Sequence, residues 1–369
     1  MYNIKDYLQR GLLFANNLFF PSRKKISTLM LYTTSLCDSR CKHCMVWNKR
    51  PVAHIPKEQI FRIMESKCIS KNTSVGLEGG EFLLHPESME ILKWFSENHP
   101  NFDLLSNCLK PDKLINAVKT YPPRRLYLSL DGNKETYQYM RGRDGHDSVI
   151  KVIEECKDIV PISLMFTLSP YNSFSDAEYV VDIAKKYGID VRIGIYNNID
   201  FFDTQDKAHQ ENNSASGGIA SGFKQKIPAN VADTSENIDF LYLYDEWKNG
   251  RLKLRCNSIF DSLVIHPNGD IPVCQNLELK LGNVYDQSLD EIFNSRKTQK
   301  IQNEQSRNCN KCWVNFHRKY DIVLLRTLET FFPKRLIELF YGKYQWTSDT
   351  RMTYKEFSRI VKTHFIPGI

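Results

Sequence analysis

The sequence predicts an α/β fold in which parallel strands form an open or partial barrel, followed by a smaller domain that carries cysteines. Short apolar segments alternate with amphipathic segments from residue 28 to about residue 197. Polar, glycine-rich or cysteine-rich stretches follow several of the apolar segments, and four more cysteines begin at Cys256. About six strand–helix repeats of this kind are typical of a parallel sheet with right-handed crossovers, whose loops gather at one edge.

The predicted strands are short, apolar and mostly bounded by polar residues, glycine or proline. They span residues 28–34, 74–78, 102–106, 125–130, 161–168 and 190–196. Between them the sequence predicts helices at 57–66, 86–98, 111–120, 148–159 and 176–187.

The composition is that of a folded protein with one large core and a smaller one. The chain has 369 residues, of which 41% are hydrophobic and 12% aromatic, and this excludes an intrinsically disordered protein. Its net charge of +7 is spread along the chain, so it favours anionic ligands in general and gives no argument for nucleic acid. No uninterrupted apolar stretch approaches the length of a membrane span.

The ten cysteines are better interpreted as metal ligands than as disulfides. Residues 1–20 contain Lys5, Asp6 and Arg10, which is not the pattern of a signal peptide. We therefore expect a cytoplasmic protein with reduced thiols. Cysteines without a motif are expected to be buried apolar residues: Cys68, Cys108 and Cys156.

Residues 1–26 predict an amphipathic helix with a basic end. The main interpretation is a helix that packs on the large domain. The alternative is a helix that lies in a membrane interface.

Three cysteines in a C-x3-C-x2-C spacing, Cys37, Cys41 and Cys44, follow the first predicted strand. Three thiolates can hold a 4Fe–4S cluster and leave its fourth iron open to a reacting ligand. His43 offers an alternative, a four-ligand zinc site, although the neighbouring side chains of His43 and Cys44 diverge. Because Cys37 comes soon after a strand, the loop is expected at the carboxyl-terminal mouth of the sheet.

Polar residues follow other predicted strands at the same edge. After the second strand, two glycines allow a ligand to approach the backbone, and the next carboxylate can accept from an ammonium group. After the third and fourth strands, amide, hydroxyl and carboxylate groups can bind ribose or amino-acid groups. The candidate ligand-binding positions are Gly79, Gly80, Glu81, Asn107, Ser129 and Asp131.

Residues 203–255 break the alternation and are interpreted as a loop or linker followed by a connecting helix. Residues 203–235 have too few apolar groups to offset the entropy of ordering. A lid that orders over a substrate is the alternative, since long loops beside a barrel mouth often have that role.

A second candidate metal site consists of four later cysteines: Cys256, Cys274, Cys309 and Cys312. They belong to a predicted domain at 256–317, in which residues 263–273 predict a hairpin around an Asn-Gly turn. Four thiolates close a 4Fe–4S cluster completely, and a four-cysteine zinc ribbon fits the same spacing.

Residues 318–369 interleave apolar residues with arginine and lysine, and Pro333 and Gly342 interrupt them. Helices that cap the domain are the main expectation for this C-terminal extension. A peripheral membrane or lipid-substrate surface is the alternative.

Taken together, the three-cysteine loop, the Gly79-Gly80-Glu81 triplet and the Ser129-Leu130-Asp131-Gly132 segment resemble the motifs of radical S-adenosylmethionine (AdoMet) enzymes in type and order. The resemblance covers roughly residues 28–200. It implies a core at 27–202 that is a partial (β/α)6, TIM-like barrel, with AdoMet bound to the open iron of the first cluster.

The resemblance also implies the contacts to AdoMet. Glu81 would hold the methionine ammonium, and Ser129 with Arg141 would hold the carboxylate, with Arg143 as the alternative to Arg141. Contacts to the adenine and to other polar parts of the cofactor would fall to His43, Asn107 and Asp131. The resemblance assigns no role to Glu78, which stands where the family more often has a small or polar residue.

The later cysteines, with Gly269 five residues before Cys274, resemble the auxiliary-cluster extensions called SPASM and twitch domains. Because no cysteine follows Cys312, the shorter twitch form with one auxiliary 4Fe–4S cluster is expected. The resemblance implies that AdoMet is cleaved reductively to a 5′-deoxyadenosyl radical, which abstracts a substrate hydrogen. An oxidative modification would follow, with the auxiliary cluster as electron acceptor or relay.

A flavodoxin- or ferredoxin-type donor would supply the electron. The single-cluster pattern favours a sugar, cyclitol or lipid-linked glycan as the substrate. A peptide-modifying maturase is the alternative, placed second because residues 1–26 are too short for a leader-binding module. The alternative outside enzymes is a zinc-binding or electron-transfer protein. The sequence identifies no catalytic base.

Overall fold

The structure is a computed structural model that describes residues 12–13, 15–17, 19–197, 238–277 and 279–346. Its centre is a seven-stranded parallel sheet in the order β6-β5-β4-β3-β2-β1-β7. The strands are β1 (Thr28–Tyr32), β2 (Ser74–Glu78), β3 (Phe102–Ser106), β4 (Arg125–Ser129), β5 (Ile162–Leu168), β6 (Asp190–Ile195) and β7 (Ser262–Ile265). This sheet confirms the predicted α/β partial barrel and adds a seventh strand to the six expected ones.

Helices follow the strands in the predicted alternation. They are α1 (Lys57–Met64), α2 (Ser88–Asn98), α3 (Pro111–Thr120), α4 (Lys134–Arg141), α5 (His146–Cys156) and α6 (Phe174–Tyr187). Helix α4 was not predicted, although its caps are visible in the sequence. Asn133 Oδ1 accepts from the Thr136 N–H at 2.9 Å, and Gly142 closes the helix with a φ of 62°.

The two faces of the sheet differ in burial. Along β2 and β4, buried side chains alternate with partly accessible ones. The buried set, such as Val75 and Leu126, shares a core with helix residues such as Ile91. The accessible set lies on the opposite face, where the three atoms nearest to a Cβ built on Gly76 belong to Glu78. These partly accessible side chains form the interior face of the barrel.

The predicted hairpin at 263–273 is wrong in its strand pairing. The strand β7 pairs in parallel with β1, with Thr28 opposite Ser262. The next strand, β8 (Asp270–Pro272), pairs antiparallel with β9 (Lys280–Asn283). All four residues of β7 are buried. This segment is therefore better suited to pair with the open edge of β1 than to form a hairpin that faces solvent.

The remaining helices are α7 (Ile238–Tyr242), α8 (Tyr244–Lys248), α9 (Leu289–Asn294), α10 (Arg296–Asn308), α11 (Asn315–Phe331) and α12 (Lys334–Tyr341). The fully buried Trp313 lies between Phe240 and Trp247, with ring centroids 5.3 Å away on each side. This stack joins α7 and α8 to the segment that follows Cys312.

The described part of the N-terminal segment packs on the second domain through Lys24. Its Nζ lies 2.6 Å from Gln302 Oε1 and 4.2 Å from the centroid of the Phe293 ring. Within the described ranges, no helix is long and apolar enough to cross a membrane. The loop, linker or lid predicted at 203–235 and the chain after residue 346 lie outside the described residues, and membrane contact stays a prediction.

The cysteines without a motif are buried, as predicted. Cys108 and Cys156 have no exposed surface, and Cys68 is 1% exposed. Cys68 also donates its S–H to Asp290 Oδ1 at 3.0 Å, so it ties the barrel to α9.

Candidate active site

The three-cysteine loop is held against the glycine turn that follows β2. The Gly80 N–H donates to the Thr34 carbonyl at 2.7 Å, and the Glu81 N–H donates to the Leu36 carbonyl at 2.8 Å. A Cβ on Gly80 would lie 2.3 Å from the Leu36 oxygen and 2.9 Å from the Cβ of Cys37. Glycine is therefore required here, and the turn sets the position of the loop.

Cys37, Cys41 and Cys44 gather beyond the carboxyl end of β1. Burial raises the pKa of Cys37 and raises that of Cys44 to about 12, and nearby thiols add to both shifts. Polar groups face two of the sulfurs: Ser39 Oγ is 3.2 Å from Cys41 Sγ, and Asn107 Nδ2 is 3.8 Å from Cys37 Sγ. Such thiols ionise when a metal cluster compensates their charge.

Glu81 is 3% exposed, and residues that follow β3 fix its carboxylate. The Asn107 N–H donates to Oε2 at 2.8 Å, and the Ser106 hydroxyl donates to Oε1 at 3.0 Å. Burial raises the pKa of Glu81 to about 7, against the opposing effect of these hydrogen bonds. A cationic ligand would favour the ionised form. The assignment of Glu81 to the AdoMet ammonium stays a prediction.

Asp131 and Arg141 form a buried ion pair beside the loop. Arg141 Nη2 lies 2.6 Å from Asp131 Oδ2, and the exposed fractions of these side chains are 8% and 0%. Arg141 Nη1 also lies 3.8 Å from Cys41 Sγ, and Asp131 Oδ1 accepts from the Thr167 N–H at 3.0 Å. The pair thus links the ends of β4 and β5 to the first cysteine set.

Arg143, the alternative to Arg141, lies on the outer side of the loop. It is exposed, and its Nε donates to the Asp38 carbonyl at 2.9 Å. Together with Cys37 and Trp47 it lines an open cleft of about 340 Å³. The two arginines therefore have different surroundings, and the inner position of Arg141 fits a cofactor contact better.

One ring nitrogen of His43, Nδ1, is buried and lacks a hydrogen bond among the described residues. Burial lowers the pKa of His43, so the ring is neutral near pH 7. A buried polar atom without a partner is unfavourable unless a ligand satisfies it, and an adenine would do so.

Ser129 ends β4 on the partly accessible face of the sheet.

The four later cysteines also gather, although they come from separate elements. Cys274 follows β8, and burial raises its pKa to about 12, with contributions from Cys309 and Cys312 after α10. Burial raises the pKa of Cys256 as well, and Cys312 is among the contributing charges.

Arg318, which sequence reasoning missed, is a fully buried cation beside this second set. Its Nε donates to the Cys312 carbonyl at 3.0 Å, and its Nη1 donates to the Leu254 carbonyl at 3.2 Å. The same Nη1 lies 3.4 Å from Asp321 Oδ2. The buried positive charge suits a site whose bound cluster and thiolates are negative overall.

The described residues give no support to a single zinc ion at either cysteine set. In the part of the chain that the structure describes, no three His, Cys, Asp or Glu side chains converge as the ligands of one metal ion would. A four-iron cluster separates its thiolates more widely than a single zinc ion does.

Glu78, which had no assigned role, faces the interior of the barrel. It lies opposite Tyr32 in the pairing of β1 with β2, and the Tyr32 hydroxyl hydrogen-bonds to its carboxylate. Tyr32 Oη also lies 3.4 Å from Gln275 Oε1, next to Cys274 in sequence. Burial raises the pKa of Glu78 to about 7, and Asp103 adds to the shift. The signal in the sequence was a carboxylate on the inward face of a strand.

Family models match both parts of the chain. The radical SAM superfamily model matches residues 31–184, and the model of an iron–sulfur cluster-binding domain, SPASM, matches residues 256–313. The two matches contain the first and the second cysteine sets, respectively.

Two curated relatives and one solved structure are similar to the chain. The antilisterial bacteriocin subtilosin biosynthesis protein AlbA of Bacillus subtilis (strain 168) is 24% identical over 286 residues, which are 74% of this chain and 60% of AlbA. The GTP 3′,8-cyclase of Ectopseudomonas mendocina (strain ymp) is 26% identical over 38% of this chain and 45% of the cyclase. The chain thus spans less than two thirds of either relative.

The fold resembles that of Streptococcus suis SuiB bound to S-adenosylmethionine. The TM-score is 0.56 at 15% identity, and the match covers 82% of this chain and 74% of SuiB.

The half-barrel, the three-cysteine loop and the family match define a radical SAM protein. More narrowly, the chain belongs to the members of the radical SAM superfamily that carry a SPASM iron–sulfur domain. Its cofactors are AdoMet and iron–sulfur clusters, and the two cysteine sets and His43 Nδ1 fit them.

Proposed function

We propose that this chain is a peptide-modifying radical SAM enzyme that carries out an oxidative change on its substrate. When bound at Cys37, Cys41 and Cys44, the first cluster with AdoMet supplies a 5′-deoxyadenosyl radical that abstracts a hydrogen from carbon. A donor of the flavodoxin or ferredoxin type supplies the electron. The four later cysteines would hold the auxiliary cluster, which would supply an acceptor or relay for the electron that the substrate loses.

The observation that carries this proposal is the similarity to AlbA, which extends over 286 residues of the chain at 24% identity. AlbA is named for the biosynthesis of a bacteriocin, and bacteriocins are peptides. A SuiB structure that resembles this fold is described as bound to the precursor peptide SuiA. These relatives favour the peptide alternative over the sugar, cyclitol or glycan that the single-cluster pattern suggested.

Within this function, the chain's own residues hold the reacting groups and keep water out. The Gly79–Gly80 turn fixes the loop, and the buried Asp131–Arg141 pair sits beside Cys41. The interior face of the barrel offers the space in which a peptide side chain or backbone carbon would meet the radical.

The experiment uses the full chain with both clusters reconstituted under anaerobic conditions. The enzyme is supplied with AdoMet and dithionite. Cells of its source organism are grown with full deuterium labelling, and two fractions of them are tested as substrate: the small peptides, and the glycans with lipid-linked glycans. Deuterium in the released 5′-deoxyadenosine is measured by mass spectrometry. Transfer from the peptide fraction is the expected result. Transfer from the glycan fraction alone would reject the peptide assignment.

Cysteine variants test the two clusters separately. Substituting Cys37, Cys41 and Cys44 by alanine should abolish release of 5′-deoxyadenosine and remove about four of about eight irons per chain. Cys156→Ala is the matched control, because Cys156 is also buried but belongs to neither set. Retained cleavage in the triple variant would contradict the assignment of the first site.

A further inference from the structure

We propose that the Glu78 carboxylate accepts the proton that the substrate loses when its carbon radical is oxidised. The inference rests on the proposed function, because it concerns the same oxidative step and names the residue that completes it. Glu78 lies on the interior face of the barrel, the other ionisable groups of that face are paired or protonated, and Tyr32 links Glu78 to the auxiliary domain.

The position of Glu78 is at the end of β2 on the interior face of the barrel. A Cβ built on Gly76 would lie 3.2 Å from Glu78 Oε1, so the carboxylate lies over a glycine on the partly accessible face of β2. The following residues are the glycine turn that holds the three-cysteine loop. Glu78 is therefore a neighbour of the place where the radical forms, without being a ligand of the cluster.

Other carboxylates near this face already accept hydrogen bonds from protein groups or form an ion pair. The Arg124 Nε donates to Asp103 Oδ1 at 2.9 Å and its Nη2 contacts Oδ2, so both Asp103 oxygens pair with one guanidinium. Asp190 Oδ2 accepts from the Ser163 hydroxyl at 2.7 Å. Glu81 accepts from a backbone N–H and a hydroxyl, as described above.

The remaining candidates are poor bases. Burial raises the pKa of Tyr127 to about 12, which leaves its phenol protonated and unable to accept a proton at neutral pH. Burial lowers the pKa of His43 near the barrel mouth, and this ring belongs to the predicted adenine contact. By contrast, burial raises the pKa of Glu78 to about 7, close to the value that suits a general base in neutral solution.

Glu78 is also connected to the auxiliary domain. The Tyr32 hydroxyl lies between two acceptors, the Glu78 carboxylate and Gln275 Oε1 at 3.4 Å, and its single proton can be donated to either. Gln275 follows the auxiliary ligand Cys274 directly. The ring of His266, in the turn between β7 and β8, lies edge-on to Tyr32 with centroids 6.2 Å apart. The titratable groups that face Glu78 or its partner are Tyr32 from β1, Cys44 from the first loop, Asp103 from β3 and His266 after β7.

The step balances with Glu78 as the proton acceptor. One C–H bond and one X–H bond of the substrate break, where X is sulfur, nitrogen or oxygen, and one C–X bond forms. The hydrogen atom leaves in 5′-deoxyadenosine, and the proton passes to Glu78. The remaining electron passes to the auxiliary four-iron cluster, which is the oxidant. The Tyr32 hydroxyl stays bonded to the carboxylate and orients it.

The test compares Glu78→Gln with Glu90→Gln, a control at an exposed glutamate on α2. Both variants are reconstituted, and iron content and circular dichroism establish that they are folded. Each is assayed with whichever perdeuterated fraction donates deuterium to the wild type. Three quantities are measured: deuterium in 5′-deoxyadenosine, the C–X product, and substrate in which one deuterium has been replaced by a solvent hydrogen.

Glu78→Gln should retain deuterium transfer within about twofold, whereas product per 5′-deoxyadenosine should fall about 100-fold, the scale of general-base catalysis. Substrate quenched by solvent hydrogen should rise in proportion. In the wild type, product per cleavage should fall below pH about 7, and the variant should lose this dependence. An unchanged product yield, or an equal loss of deuterium transfer and product, would overturn the proposal.

A second measurement does not depend on turnover. Protein labelled with ¹³C at the glutamate carboxyls is titrated by NMR, and Glu78→Gln should remove one resonance that titrates near pH 7. Tyr32→Phe should shift that resonance to higher pH, because it removes a hydrogen bond to the ionised form. If the removed resonance titrates in the ordinary range of glutamate, the proposal fails even if the peptide assignment stands. Deuterium transfer from the glycan fraction would reject the peptide assignment and leave the Glu78 test valid on that substrate.

Discussion

Replacing Gly80 by alanine tests whether the glycine turn sets the position of the first cysteine set. The added Cβ would lie 2.3 Å from the Leu36 oxygen and 2.6 Å from the Leu36 carbonyl carbon. Both contacts are with backbone atoms, which cannot rotate away as the end of a side chain can. The strain must therefore be relieved by moving the loop that leads into Cys37.

The size of this movement follows from the contact distances. Ordinary van der Waals contact for a Cβ begins at 3.4 Å, so the Leu36 oxygen and the turn must separate by about 1 Å. Overpacking of this kind lowers the free energy of unfolding by about 1–3 kcal/mol. A displacement of about 1 Å at a reacting group lowers the rate about 100-fold. We therefore expect the auxiliary cluster to assemble and the first cluster to assemble poorly.

The assay measures iron per chain after anaerobic reconstitution, release of 5′-deoxyadenosine, and urea unfolding of the protein without clusters. Gly194→Ala is the matched control, because a Cβ there would have its nearest neighbour at 3.8 Å. For Gly80→Ala, iron should fall from about eight to about four atoms and AdoMet cleavage about 100-fold. If Gly80→Ala keeps both at the level of Gly194→Ala, the turn does not position the loop.

Two further predictions concern buried charges in the protein without clusters, and urea unfolding measures both. Arg318→Met should lower the free energy of unfolding by about 3–5 kcal/mol, since it leaves Asp321 buried without its cation. Lys300→Met is the control at an exposed ion pair and should change the free energy of unfolding by less than about 1 kcal/mol. Equal effects of the two substitutions would contradict a stabilising role for the buried pair. The folded-state pKa of Glu81, about 7, exceeds its ordinary value of 4.5, so the stability contributed by the neutral carboxyl is complete below pH 4.5 and is lost as pH rises through 7. Glu81→Gln should therefore gain up to about 3 kcal/mol relative to the wild type between pH 4 and pH 8, and parallel pH profiles would refute the shift.

The sequence predicted the parts of the site that depend on local spacing. The positions of Cys37, Cys41 and Cys44 follow from one short loop after a strand. The sequence also predicted two glycines that let a ligand approach the backbone, whereas the structure shows that Gly80 is required by the close approach of the Leu36 backbone. The alternation of strands and helices was equally predictable, because each element carries its own apolar period. The predicted start of α6 at residue 176 moved to Phe174, where Ser173 caps the helix.

What the sequence did not predict depends on contacts between distant segments. The pairing of β7 with β1 joins residues more than 230 positions apart, and an Asn-Gly turn locally favours a hairpin instead. The partner of Arg141 is Asp131 rather than a free ligand, and the two were assigned separate roles. Glu78 acquires its raised pKa from burial opposite Tyr32, which no local pattern contains.

The β1–β7 pairing determines how the two cysteine sets lie relative to each other. Strand β1 leads into Cys37, and β7 leads through the turn at Gly269 to Cys274. A small apolar group, made of Tyr32, Val46 and Val264, packs between these strands and the first loop, with Cys44 and Phe316 beside it. Because side chains alternate along a strand, slipping β7 by one residue would turn Val264 away from this group and leave Tyr32 without its apolar cover. The same register therefore positions the start of the auxiliary domain and holds Tyr32 in reach of both Glu78 and Gln275.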